Sequence, residues 1–417
     1  MKILMINHFP LAGSGSGTYT RNLAVHLAQL GHEVTVILPE NTDSFEKVPG
    51  VRLHPVFFSA KDDEGVPADI SAEEVPGALP FNFPCFTTHP RSTVSFGDLT
   101  ADQMEMYKAA FTKAIDEEIE KDRPDVIHGQ HVWILPSLAV GKGIPIVLTA
   151  HGTDLMGYDK WQEMRKYAEK VMDECKTVIS ISKDNCDLIR ERFPEAADKI
   201  VMMRNGYDPS VFYPEVHDRN EVLKEYSISE EEHLGKKLVC FAGKLARFKG
   251  VDVLLDAMRL TEDRREDVFL IIVGDGEERD KLKDQAEKLG LINVRFLGNV
   301  SMQELRKLYN IADVSVVPSR REPFGLVALE AMACGIPVVA SDQGGLPDFV
   351  NKSVGILAKP EDPVDLSDKI EGILDIEEAT DEVSWKKDIA GYARTHYAQD
   401  MIIRELEEVY QKALSGC

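Results

Sequence analysis

The chain has 417 residues, 43% of them hydrophobic and 29% charged, with a formal net charge of −23. That length exceeds one ordinary core and predicts two domains of roughly 200 residues each. The acidity argues against a nucleic-acid partner and against a polybasic grip on a bilayer; no run nears the ~18 apolar residues of a membrane span; and six cysteines (85, 175, 186, 240, 334, 417) without C-x-x-C spacing suggest neither a zinc site nor a disulfide framework.

Lys2 to Asn7 reads as a buried first strand, too short for a signal-peptide core, which predicts a cytoplasmic protein. Gly17 to Leu30 follows as an amphipathic helix stopped by Gly31, and Glu33 to Leu38 as a second strand, together a βαβ unit. The alternation resumes with a helix over 101–121, a strand at Val126 to His128, strands over 145–150 and 177–182, and a helix from Lys183 to Phe193. Between Ala60 and Thr100 it breaks: Pro67, Pro76, Pro80, Pro84 and Pro90 punctuate a stretch too long for an ordinary connection, which predicts a lid or an acceptor-side loop. A polar, acidic run to about Lys237 reads as a boundary. A second α/β series then runs through strands at 238–242, 268–273, 294–296, 314–317 and 337–340, with helices at 251–259, 279–289, 302–309 and 326–334. A last helix near Gln399 to Leu414 carries Met401, Ile402, Leu406, Val409 and Leu414 on one face and is free to dock on either domain. The fold class expected is α/β with two parallel sheets, over residues 1–208 and 209–394, with 395–417 able to pack back on the first.

In open α/β sheets ligands bind beyond the carboxyl ends of the strands, so motifs placed there take priority. Gly13-Ser14-Gly15-Ser16-Gly17 links the first strand to the first helix and can bring amides to a phosphate, but its spacing is not a dinucleotide fingerprint, despite Glu40 at the second strand's end. His151-Gly152-Thr153-Asp154 places an imidazole after the 145–150 strand; Asp154 suits a helix start, and of the other histidines His128 and His131 flank a strand end while His32 and His89 have no such setting. Gly243 to Gly250 packs Lys244, Arg247 and Lys249 between two glycines after a strand, a pattern that suits a diphosphate. Gly274-Asp275-Gly276 and Phe296 to Val300 are placed to border a base. Glu322-Pro-Phe-Gly-Leu-Val-Ala-Leu-Glu330 sets two carboxylates across a loop-to-helix junction whose amides face the loop, so its natural ligand carries both phosphate and hydroxyls, as a nucleotide sugar does.

Taken in order, these motifs, with Gly31-His32-Glu33-Val34 and Asn205-Gly206-Tyr207-Asp208, resemble the retaining GT-B glycosyltransferases of family 4 over nearly the whole chain, residues 57 to 105 excepted. The resemblance implies two Rossmann-like domains facing across a cleft, the first acceptor-side and the second donor-side. It implies a hexosyltransferase moving a sugar from a nucleotide-diphosphate donor, UDP favoured over GDP, to a hydroxyl on a small or carbohydrate acceptor, with retention, front-side attack and no cofactor or metal; no D-x-D manganese pattern occurs.

Carried residue by residue, the resemblance puts Lys244 and Lys249 on the diphosphate, Lys244 where many relatives have arginine. Glu330 falls on the ribose, Glu322 on a sugar hydroxyl, and the amides of Phe324, Gly325 and Leu326 on sugar or phosphate. The backbone near Val300 meets the base, and Gly15 and Gly17 close on the phosphate. His151 meets the transferred sugar. Catalytic weight falls on His151, Lys244, Lys249 and Glu322. Rival readings are Glu322 as a covalent nucleophile, a nucleotide-sugar epimerase, and a non-catalytic sugar-binding protein; roles for Arg247 and Asp154 and the oligomeric state stay open.

Overall fold

The computed structural model describes the chain except residues 43, 44, 46, 60–76, 88, 380, 381, 416 and 417. Pro67 and Pro76 of the long interruption, and Cys417, lie outside the described residues. The other five cysteines are buried and form no disulfide among the described residues. The chain forms two units, Met1–Arg204 with Ile402–Cys417, and Asn205–Met401.

The first unit holds seven parallel strands: β1 (Lys2–Ile6), β2 (Glu33–Glu40), β3 (Val51–Phe57), β4 (Val126–Gln130), β5 (Ile146–Ala150), β6 (Thr177–Ser180) and β7 (Ile200–Met202), in the order β3-β2-β1-β4-β5-β6-β7. Parallel neighbours need crossover connections, and helices supply those between β1 and β2 and from β4 to β7, covering strands such as β4 and β5 that are buried at every position. Ile3 pairs with both Val34 and Val126, so β1 is where the strand order reverses. β3 was not expected: Pro55 obscures it in the sequence, and an edge strand tolerates the missing amide.

The helix Gly15–Gln29 begins two residues earlier than its apolar pattern suggests, because Ser14 caps it by accepting from the Gly17 amide. Helix Ala101–Lys121 starts on a capping box of Thr100 and Gln103 and buries Tyr107, Phe111, Ala114 and Ile115.

The second unit has six parallel strands: β8 (Lys237–Ala242), β9 (Val268–Val273), β10 (Val294–Gly298), β11 (Val314–Val317), β12 (Val338–Ser341) and β13 (Gly355–Ala358), ordered β10-β9-β8-β11-β12-β13. Here the reversal falls between β8 and β11. The polar run after Asp208 is not all linker: it holds helices Arg219–Lys224 and Glu230–His233, the second on a Ser229–Glu232 capping box. Helices Pro363–Ala379 and Glu382–Tyr397, and strand β13, also escaped the sequence reading.

The division falls at 204/205 rather than 208/209, because the Tyr207 amide bonds to the Tyr397 carbonyl (3.0 Å) and the Gln399 amide to the Tyr207 carbonyl (2.9 Å), tying Asn205 to Asp208 to the end of helix Glu382–Tyr397. Helix Gln399–Ser415 packs from Ile402 onward on the first unit, where Ile402, Ile403, Leu406, Val409, Tyr410 and Ala413 join Leu23, Leu27 and Val36 in one core. Met401 and Leu414, expected on that face, are 44% and 38% exposed; Tyr410 and Ala413 replace them. Each large apolar side chain so buried contributes roughly 1.5–3 kcal/mol.

Candidate functional site: two ligand edges

At the carboxyl edge of the second sheet, short backbone contacts lock the loops together. Gly250 has φ 69, and an ideal Cβ there would lie 2.0 Å from the Pro318 carbonyl, so only glycine lets the basic loop after β8 press against the end of β11. The Arg320 amide bonds to the Phe248 carbonyl at 2.8 Å. On the far side, Gly344 (φ 59) approaches Glu322 so closely that a Cβ would meet its carbonyl at 2.0 Å, while the Gly345 amide bonds to that same oxygen at 3.0 Å.

Glu322 is thereby held between two loops and is 8% exposed. The lysine Nζ of Lys249 lies 2.6 Å from Glu322 Oε2, and Ser319 Oγ donates to the same oxygen at 3.1 Å. Two residues that the sequence assigns to different parts of a ligand are thus one ion pair. Lys244 is half-buried and lies 3.6 Å from Glu277. The Arg247 side chain is exposed, while its carbonyl accepts from Arg320, whose guanidinium also grips Asp252 through both oxygens (2.7 and 2.8 Å).

Gly325, at φ 105, caps helix Leu326–Ala333, and Phe324 packs on Phe349 with ring centroids 5.3 Å apart. The amides of Phe324, Gly325 and Leu326 have no hydrogen bond among the described residues. The carboxylate of Glu330, in the second turn, has no ion pair or hydrogen bond among them either, and burial pushes it up to about 7. A carboxylate without donors is poised for hydroxyls. Val300 follows β10, whose Gly298 carbonyl accepts from Gly274 at 2.8 Å, and the Leu245 amide bonds to Asp275 at 2.9 Å, so the glycine turn 274–276 bridges the basic loop and the segment near Val300. Lys244, Lys249, Val300, Glu322, Phe324, Gly325, Leu326 and Glu330 therefore all belong to one unit and to the loops and helix start at its strand ends.

The first unit presents a different surface. Beyond the ends of β1, β4 and β5 stand His8, His131 and His151, while His128, expected at a strand end, lies in the middle of β4 because that strand runs on to Gln130; all four are buried. Burial lowers His8, His128 and His151 to about 3 and takes His131 well below its ordinary value, so all four are neutral. His151 Nε2 is 2.9 Å from Gln130 Oε1, and its ring centroid lies 4.7 Å from that of His131 and 5.1 Å from Tyr19. His131 sits at φ 85, a conformation costly for a non-glycine residue. His128 bridges Tyr410 Oη (2.7 Å) and Thr149 Oγ1 (2.8 Å), joining the last helix to β5 just before His151. Asp154 is structural in its contacts: its carboxylate accepts from the amides of Val132 (2.7 Å) and Leu155 (3.1 Å).

In the glycine-rich loop one expected donor is already committed. The Gly17 amide donates to Ser14 Oγ at 3.0 Å, and a Cβ on Gly17 would lie 2.3 Å from the Pro10 carbonyl, so Gly17 serves close packing. The amides of Gly15 and Ser16 carry no such bond among the described residues. His89, which has no evident setting in the sequence, lies against this loop, its Nε2 3.1 Å from the Ala12 carbonyl. Only tertiary folding brings residue 89 there. His32 meets the N-terminal amine (3.1 Å) and Glu407 (2.8 Å).

The chain matches two family descriptions, Glycosyltransferase Family 4 over residues 13–211 and Glycosyl transferases group 1 over residues 224–388. It is 29% identical to an uncharacterised glycosyltransferase of Methanocaldococcus jannaschii over 99% of both chains. It is 30% identical to the D-inositol 3-phosphate glycosyltransferase of Corynebacterium aurimucosum over 100% of this chain and 97% of that one. In structure it is similar to a sucrose-phosphate synthase from Thermosynechococcus elongatus (TM-score 0.76, 20% identity, 100% of both chains). It is also similar to the Anabaena protein HepE solved in complex with UDP-glucose (TM-score 0.70, 19% identity, 100% of both chains). Two Rossmann-like units with parallel sheets, in a sequence matched over residues 13–211 and 224–388 by these descriptions, place the chain in the group 1 glycosyltransferases of GT-B fold.

Proposed function

We propose that this glycosyltransferase moves a hexose-type sugar from a nucleoside-diphosphate donor, a UDP-sugar before a GDP-sugar, to a hydroxyl acceptor with retention of configuration. The reading rests above all on the second sheet's ligand edge, where the Lys249–Glu322 pair, the donor-free carboxylate of Glu330 and the open amides of 324–326 follow strands next to the reversal of strand order. Lys244 and Lys249 disperse the charge of the departing diphosphate, a task in which preorganised cations and amides count most in a dry site, and no metal is assigned to it. Glu330 receives the ribose hydroxyls, Glu322 a hydroxyl of the sugar, and the backbone near Val300 the base. The HepE complex with UDP-glucose supports uridine and a hexose by fold likeness.

In the first unit, Gly15 approaches the phosphate, and His151 hydrogen-bonds the transferred sugar. Its neutrality matters: an imidazolium would repel the positive charge that grows on the anomeric carbon, whereas a neutral ring does not. The acceptor oxygen forms its bond to that carbon on the face from which the diphosphate leaves, and the leaving phosphate oxygen takes the acceptor's proton. Lys249 already neutralises Glu322, which fits Glu322 to hold a hydroxyl better than to attack carbon.

The test incubates the protein with UDP-, GDP- and ADP-hexoses and a panel of hydroxyl acceptors and follows the anomeric configuration by NMR. An α-linked product from an α-linked UDP-hexose is expected. Inverted product, or interconversion of the nucleotide sugar without acceptor, refutes the reading.

A further inference from the structure

His89 belongs to the proline-punctuated stretch before helix Ala101–Lys121, yet it is built into the first loop. Its ring is 4% exposed, stacked on Phe9 (centroids 6.0 Å apart, planes 7° apart) and edge-on to Phe83 (5.2 Å). The Arg91 amide donates to Nδ1 at 3.1 Å, which fixes the lone pair there and the proton on Nε2; that proton is donated to the Ala12 carbonyl. Reciprocal backbone bonds between His89 and Ser92 (3.1 Å each) and the Asn82 side-chain amide on the Arg91 carbonyl (2.7 Å) hold the turn, and the Arg91 guanidinium anchors it to Glu40 at the end of β2 (2.8 Å). Gly13 stands directly against the ring: at φ 91, an ideal Cβ would lie 2.9 Å from His89 Cε1 and Nε2. One imidazole thus sets both the carbonyl before Gly13 and the space that Gly13 fills, two residues ahead of the helix start at Gly15.

We infer that His89 is a positioning residue which fixes the Ala12–Gly13 turn, and through it the Gly15 and Ser16 amides, so that the turn over residues 89–92 and the glycine-rich loop act as one piece. The inference rests on the reading in which those amides meet the donor phosphate. On that reading the second unit's residues carry most of the donor affinity and these amides act mainly on the charge that grows as the phosphate leaves, so loss of the tie slows transfer with little change in nucleotide binding.

Two substitutions separate this from simple packing. His89→Phe keeps the stack on Phe9 and removes the donor; His89→Gln returns an amide N–H near the position of Nε2. In His89→Phe, amide exchange at Gly17 and Thr18 is expected to quicken about tenfold, the effect of one buried hydrogen bond, while Leu23 in the same helix keeps its protection. Turnover is expected to fall about tenfold with the Kd for UDP within twofold of the original, and His89→Gln to recover most of both losses. Full turnover in His89→Phe while Lys249→Ala is crippled overturns the role of His89 and leaves the proposed function standing. Full turnover in both variants means the proposed function itself fails. Exchange restored by glutamine without any recovery of turnover also overturns the inference.

Discussion

The strand-end surfaces of the two sheets carry opposite electrostatics. The second sheet's edge is charged and paired: Lys249 on Glu322, Arg320 on Asp252, Lys244 beside Glu277. The first sheet's edge is buried, aromatic and neutral, with four imidazoles stripped of their ordinary basicity. On the proposed function, charge suits the surface that holds a diphosphate and then releases it, because lysine and carboxylate can exchange partners as the ligand comes and goes. On the same proposal, neutral rings suit a sugar whose anomeric centre turns positive. The difference also divides the molecule by pH sensitivity, since the buried histidines penalise protonation while buried Glu330 penalises ionisation.

That contrast breaks most visibly in acid. A histidine lowered to about 3 contributes stability that is whole above about 6.5 and is lost as pH falls below it, at up to ~1.4 kcal/mol per pH unit for each group. Amide exchange is therefore expected to show β4 and β5 losing protection between pH 7 and 5 while β11 and β12 keep theirs. Equal loss in both sheets would mean the histidines are not held neutral.

The next largest effect is on the ion pair. Lys249→Ala or Glu322→Ala is expected to lower turnover about a hundredfold. Lys249→Ala also strands a buried carboxylate, which costs about 2–4 kcal/mol of stability in denaturant titration. Lys249→Ala with Glu322→Gln should restore most of the stability and none of the turnover, separating the two roles.

Gly344→Ala tests the backbone that presents Glu322. With φ at 59 and the Glu322 carbonyl 2.0 Å from the added carbon, it is expected to destabilise the second unit by about 2–3 kcal/mol in urea. A neutral result would show that the loop bearing Glu322 yields freely.

Smallest is Glu330→Gln, expected to raise the donor KM several-fold, about 1 kcal/mol, with kcat nearly kept. Because hydroxyl donors favour the ionised carboxylate, affinity for a nucleotide sugar should rise as pH climbs through about 7 in the original protein and flatten in the variant. Calorimetry across pH 5.5 to 8.5 checks this; a flat original profile would remove Glu330 from the ribose.

Much of this was legible from residues alone. Strands β9 and β11 and helix Ala101–Lys121 fall where apolar periodicity puts them, because buried parallel strands and amphipathic helices write their periods directly into the sequence. The motifs at the second sheet's strand ends were legible too, because glycine at positive φ and clustered lysines mark local conformation and charge. The rest was settled in three dimensions. The salt bridge between residues 249 and 322, the commitment of the Gly17 amide to Ser14, the meeting of His89 with Ala12, and the neutral state of four histidines depend on which distant loops come to share a sheet edge, and how much water they exclude. Local patterns record what each segment prefers; partnership and desolvation arise only when the segments pack together.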